Sequence, residues 1–126
     1  MRLLVDTHAV VWATIAPERL SARARGAVEA PDNELVVSAA TAYEIEFKRE
    51  RDPALRRLPL DLERALTELG FTWLPVTTNH AVMAGRLPKH HGDPFDRLLV
   101  AQALAEGAPL LSADRRLLTY GPEIIW

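Results

Sequence analysis

Asp6, Glu44, Asp96 and Asp114 lie far apart in the chain, yet each stands at the edge of an apolar run. RLLVD ends in Asp6, ELVVS ends in Ser38 with Glu44 six residues on, and PLLSAD ends in Ser112 and Asp114. Asp96 opens PFDRLLVAQALAEG. If the short runs are parallel strands, their carboxyl ends border one crevice, where ligands bind in sheets of this kind. Four carboxylates gathered there repel one another strongly at low dielectric. They stay ionised together only around something positive, and an all-oxygen ligand set selects a hard cation, Mg²⁺ or Mn²⁺. Each acid alone also has a purely structural reading. Asp6 can cap a helix starting near Thr7, Glu44 can be a solvated helix residue, and Asp114 can begin a turn before Arg115. The chemical reading rests on all four facing one edge.

The pair in GDPFDR separates by position. Asp93 precedes Pro94, the favoured first residue of a helix, and so stands at the N-cap. Asp96 is then the third helical residue, where an acid suits the helix dipole and can lean into the crevice.

The elements that must position these residues alternate along the chain. Arg2 to Asp6 reads as a strand, its consecutive apolar residues matching a strand covered on both faces. THAVVWAT follows as a short helix, then SARARGAVEA as a helix capped by Ser21. Glu34 to Ser38 is a second buried strand, and AATAYEIEFKRER a helix with a basic end that suits its dipole. After the loop DPALRRLP come the helix LDLERALTELG, stopped by Gly70, and a third strand, FTWLPV. TTNHAVMAGRL reads as a helix capped by Thr77 or Thr78, and PFDRLLVAQALAEG as one stopped by Gly107. PLLSAD is a fourth strand and EIIW a short last one. Strands alternating with helices predict a three-layer α/β/α fold with a mostly parallel central sheet. Leu98 to Ala105 is apolar nearly all round, which predicts burial on more than one side.

The bulk numbers agree with one domain over residues 1–126, long enough to bury a core without staples. With no cysteine, disulfides, thiol nucleophiles and Cys-based zinc sites are excluded; the absence permits, without proving, the cytoplasmic location expected here. The apolar runs are too short to cross a membrane, and the N-terminus reads as a first strand, not a signal peptide. A net charge of −2 gives no global case for nucleic-acid binding, though a local basic patch is compatible with it.

LLVDTHAVVW, VVSAATAYEI and GDPFDRLLVAQALAEGAPLLSAD together resemble the PIN-domain nucleases, and among them the VapC-like toxins of type II toxin–antitoxin pairs. The resemblance spans essentially the whole chain. It implies a metal-dependent endoribonuclease whose acids are Asp6, Glu44, Asp96 and Asp114. Mg²⁺ or Mn²⁺ would be held by Asp6, Asp96 and Asp114, and a metal-activated water would attack a backbone phosphate. Glu44 would bind through water or orient the nucleophile. Thr7, Ser38 and Ser112 take supporting positions, and Asp93 serves as cap and support. The family also implies an RNA substrate, a cognate antitoxin and a homodimer.

An acidic pocket repels RNA, so cations should rim it. Candidates are Lys48, Arg49, Arg51, Lys89, Arg97, Arg115 and Arg116, with Arg97 the first choice, Arg115 and Lys89 next, and plain solvation the competing reading for the others. His8, His80, His90 and His91 raise a zinc alternative, but their spacing lacks the helical ligand pattern of such sites. Trp12, Trp73 and Trp126 read as core or interface residues rather than base-stacking platforms. Two rivals remain. A phosphoryl-aspartate domain needs a late strand-end Lys where this chain has Ser112 and Asp114. A non-catalytic PIN-like RNA- or protein-binding module would not need the intact acid set.

Overall fold

The computed structural model describes residues 1–126. Five strands form one sheet: β1 (Arg2–Val5), β2 (Glu34–Ser38), β3 (Thr72–Leu74), β4 (Leu110–Leu111) and β5 (Ile124–Ile125). Every pairing is parallel, in the order β3-β2-β1-β4-β5. The chain winds outward from β1 in one direction through β2 and β3, then resumes on the other side of β1 with β4. The gap between β1 and β4 is therefore the point where the winding reverses, and crevices open at such points.

Six α-helices complete the layers: α1 (Thr7–Ile15), α2 (Ala22–Glu29), α3 (Ala39–Lys48), α4 (Leu62–Glu68), α5 (Thr78–Arg86) and α6 (Pro94–Glu106). Side chains alternate across a strand, and the two cores follow that alternation. Leu3, Val5, Leu35, Val37 and Leu111 face α1, α2 and α4 through Val10, Ala24, Leu62 and Leu66. Leu4, Val36, Leu74 and Leu110 face the other way, onto Leu99, Val100 and Ala103 of α6 and onto Leu117 and Tyr120. The three-layer arrangement expected from the sequence is what forms.

Local signals account for most boundaries. Ser21 caps α2 and Thr77 caps α5. Gly107, at φ 62°, stops α6 in a conformation that only glycine adopts readily. Leu99 to Ala103 is a continuous buried stretch of α6. Its one polar member, Gln102, is fully buried and donates through Nε2 to the Pro75 carbonyl at 3.2 Å, tying the helix to the exit of β3. Trp12 and Trp126 pack on each other at the rim of the larger core, their rings 5.7 Å apart.

Two expectations change. The third helix was expected to reach Arg51 but ends at Lys48. Arg49 turns its guanidinium back onto the carbonyls of Leu58 at 2.9 Å and Pro59 at 2.5 Å, and the chain turns with it. Between β4 and β5 the chain also forms a 3₁₀ segment, Arg115–Tyr120, that no apolar period announces. No helix is long and apolar enough to cross a membrane.

Candidate active site

Asp6 is the first residue beyond β1. Its backbone is extended, and its Oδ1 accepts from the Ala9 backbone N–H at 2.8 Å, so it caps α1. Asp6 is only 5% exposed, and burial drives its pKa above the usual carboxylate value. The Ser112 hydroxyl and the Ala9 N–H oppose that rise, and the charge of Glu44 adds to it. Ser112, one residue past β4, also accepts from the Asp114 backbone N–H at 3.0 Å. This single hydroxyl thus links the acids on either side of the reversal between β1 and β4.

Asp93 and Asp96 divide the start of α6 as their positions suggest. Asp93 caps the helix, its Oδ1 accepting from Phe95 N–H at 2.8 Å and Asp96 N–H at 3.3 Å. Asp96 stands at the third helical position, partly buried. Its pKa is pushed up to about 6, first by burial, then by Asp93, Asp6 and Glu44, with His91 opposing. Acids from three separate helices therefore act on Asp96. Asp114 differs: it caps the 3₁₀ segment, and Arg116 grips it through Nε at 2.9 Å and Nη2 at 2.8 Å. That grip holds its pKa down at about 2. Glu44, on the second turn of α3, is 5% exposed and receives Lys48 Nζ at 2.5 Å. The ion pair in turn raises the Lys48 pKa.

The hydroxyls serve the frame. Thr7 Oγ1 lies 3.1 Å from Thr41 Oγ1 and joins α1 to α3. Ser38 caps α3 through Ala40 N–H at 3.0 Å.

His91, weighed in the sequence only for a zinc cluster, stands beside the acids. Its Nε2 lies 3.4 Å from Asp96 Oδ2 and 3.5 Å from Asp114 Oδ2. Ligand atoms of His91, Asp96 and Asp114 all lie within 4.8 Å of one another, a spacing that one metal ion can span. The other histidines are elsewhere. His8 is exposed beside Trp12, His80 is buried in the cap of α5, and His90 rests against Tyr120. The four do not form the zinc cluster considered above. No periodicity marks His91, because it lies in an irregular loop and reaches the acids through the fold of that loop.

Arg97 requires a correction. Expected to meet RNA, it instead donates to the carbonyls of Ala84 and Leu87, each at 2.8 Å, and of Pro88 at 2.9 Å. A longer bond of 3.4 Å reaches the His91 carbonyl. A guanidinium has five donors in a rigid fork, and here they hold the turn between α5 and α6. Lys89 is exposed on that turn and pairs with no acid. Arg115 is exposed next to Arg23 and Trp126, past the β5 side of the sheet. The cations closest to the acids are Lys48 and Arg116.

The donor set suits a hard divalent cation. Buried Asp6 and partly buried Asp96 are carboxylates whose charged forms the protein alone disfavours, and positive charge beside them would reverse that.

Residues 3–121 match the family model of the PIN domain. Ribonuclease VapC22 of Mycobacterium tuberculosis is 34% identical over 129 residues, covering 98% of each chain. FitAcB from Neisseria gonorrhoeae superposes with a TM-score of 0.67 at 16% identity, over 97% of this chain and 95% of that one. DNA-bound VapBC from Salmonella typhimurium gives 0.66 at 14% identity, over 98% and 96%. At such identities these structures speak to the fold alone. The family match over nearly the whole chain and the 34% identity to a full-length relative carry further: the chain belongs to the PIN-domain family and to its VapC-like branch.

Proposed function

We propose that this chain is a Mg²⁺- or Mn²⁺-dependent endoribonuclease, the toxin of a toxin–antitoxin pair. The observation that carries the reading is the convergence of buried Asp6 and Glu44 with Asp96 and Asp114 at the reversal of the sheet. It is supported by the full-length likeness to a ribonuclease of the VapC group.

Asp6, Asp96 and Asp114 offer the carboxylate oxygens that would hold the ion. When bound, the ion makes its coordinated water more acidic and offsets charge on the phosphoryl oxygens. The chain supplies the rest. The caps at Ala9 and Arg116 fix two of the carboxylates on rigid helix starts, and Ser112 sets their relation. Glu44, held by Lys48, would bind the ion through water or orient the attacking water. Lys48 also lies 5.8 Å over the Phe95 ring, where it can meet a phosphate beside the acids.

RNA as substrate, a cognate antitoxin, a homodimer and a cytosolic location go with this reading. The likeness to chains solved in toxin–antitoxin complexes supports the antitoxin. Beside the acids a groove of about 440 Å³ is lined by Val11, Trp12, Leu55 and Lys48, among others, and offers apolar surface next to a charged rim. Tyr43 and Phe47 stack on the exposed side of α3, giving a second copy an aromatic face.

The test is cleavage of a structured RNA by the purified chain. Mg²⁺ or Mn²⁺ should support cleavage, and Asp6→Ala or Asp96→Asn should abolish it while circular dichroism shows the fold retained. Cleavage that persists in excess EDTA would falsify the metal mechanism.

A further inference from the structure

His91 stands against the acids, yet its bonding does not suit a metal ligand. Its Nδ1 accepts the Asp93 backbone N–H at 3.0 Å, so that nitrogen carries no proton. A neutral imidazole bears its one proton on the other nitrogen, which places it on Nε2. Nε2 is shut off from solvent and makes no aligned hydrogen bond to any single group. Asp96 Oδ2 and Asp114 Oδ2 lie on either side of it, at 3.4 and 3.5 Å. Rotating the ring by half a turn would give up the bond from Asp93 and set carbon against the carboxylates, so both sides fix the same orientation. The backbone of His91 is held as well, its carbonyl accepting from Arg97 Nη1 at 3.4 Å and lying 3.5 Å from the Tyr120 hydroxyl.

We infer that His91 is a positioning residue, not a ligand: its Nε2–H points between Asp96 and Asp114 and holds the two carboxylates at the separation that a divalent cation bridges. The inference rests on the nuclease reading for its purpose. Asp96 comes from the start of α6 and Asp114 from beyond β4, and no other hydrogen bond or ion pair joins them to a common group. A donor between them lessens their repulsion without taking a coordination place. It also leaves Asp96 Oδ1 for the ion, whereas both oxygens of Asp114 already meet Arg116. The cap residue Asp93 enters twice, starting α6 through its side chain and setting the tautomer of His91 through its backbone N–H.

Glutamine can present an N–H near the place of Nε2, whereas asparagine reaches only the place of Nδ1. Mg²⁺ binding by calorimetry should therefore weaken by about 10–100-fold, the usual cost of losing a group that orients metal ligands, in His91→Ala and His91→Asn. His91→Gln should stay within about threefold of the unaltered chain. Long-range ¹H–¹⁵N spectra of the unaltered protein, free of metal and with Mg²⁺, should show the proton on Nε2 in both states. Pulsed EPR with Mn²⁺ should show no directly bound nitrogen from His91. Loss of the Nε2 proton on adding Mg²⁺, a bound ¹⁴N signal from His91, or His91→Ala binding Mg²⁺ as tightly as the unaltered chain would each overturn the inference. The spectra need no variant, so a misfolded substitution does not remove the test. Mg²⁺ binding with the Nε2 proton intact but no RNA cleavage would sink the nuclease reading and leave this one standing. Cleavage without that proton would do the reverse, and failure to bind Mg²⁺ at all would sink both.

Discussion

Asp96 is the residue whose charge state matters most to the unliganded protein. Its pKa of about 6 lies above the usual carboxylate value of 3.8, so the folded chain binds this proton more tightly than the unfolded one. By linkage, its contribution lowers stability as pH rises from about 4 to about 6, and that loss is complete above the folded pKa. Asp6 shifts in the same direction. Asp114 has the opposite sign: its contribution is present above the ordinary value and is lost as pH falls through about 2. A divalent ion competes with the Asp96 proton. Mg²⁺ affinity should therefore climb as pH rises toward and through about 6 and level off above it, with proton release seen by calorimetry in buffers of different ionisation enthalpy. Asp93→Ala removes a cap and should cost about 0.5–2 kcal/mol in a denaturant melt. If it instead abolishes cleavage with stability unchanged, its role is not that of a cap. At this scale the acids were legible because strand ends and helix starts are marked by local sequence. The role of Arg97 was not, because carbonyls belong to every residue and leave no trace in side-chain identity, and that of His91 was not, because only the path of an irregular loop brings it to the acids.

At the scale of elements, α6 and the turn before it work as a unit. Arg97 projects from the first turn of α6 and gathers carbonyls from Ala84 to Pro88, so the end of α5 and the loop carrying His91 share one charged hub. Removing it leaves several partly buried carbonyls without a donor. Arg97→Ala should lower stability by at least about 2 kcal/mol, since bonds to a charged donor are worth roughly 1.5–3 kcal/mol each and losses within one network overlap. Arg97→Lys should rescue little of it, because an ammonium cannot reproduce the fork. Amide exchange in the segment 87–93 should quicken in both variants, and unchanged melting would refute the hub. The helices and strands themselves were readable from capping residues and continuous apolar runs. The end of α3 was not, because the sequence through Arg51 is helix-favouring and only the backward reach of Arg49 ends it.

Across the whole molecule, on the proposed metal-binding reading, the acid cluster trades stability for ion binding. Asp96→Asn removes a charge that the fold disfavours, so at neutral pH and without metal the variant should melt above the unaltered chain. Mg²⁺ should raise the melting temperature of the unaltered chain, by the equivalent of about 2.7 kcal/mol at a hundredfold excess over its dissociation constant, and should do far less for the variant. A lower melting temperature for Asp96→Asn in EDTA would contradict this account.

The strand order also dictates a sequence of events in synthesis. β1 is made first and ends in the middle of the sheet, flanked by β2 and by β4. A growing chain presents Asp6 and Glu44 early, but Asp114 follows Asp6 by more than a hundred residues. Parallel pairing over so long a loop closes late. The crevice therefore has only one wall until β4 leaves the ribosomal exit tunnel. On the nuclease reading proposed above, the acid set stays incomplete, and the cutting edge unmade, until the segment that carries Asp114 has folded against β1.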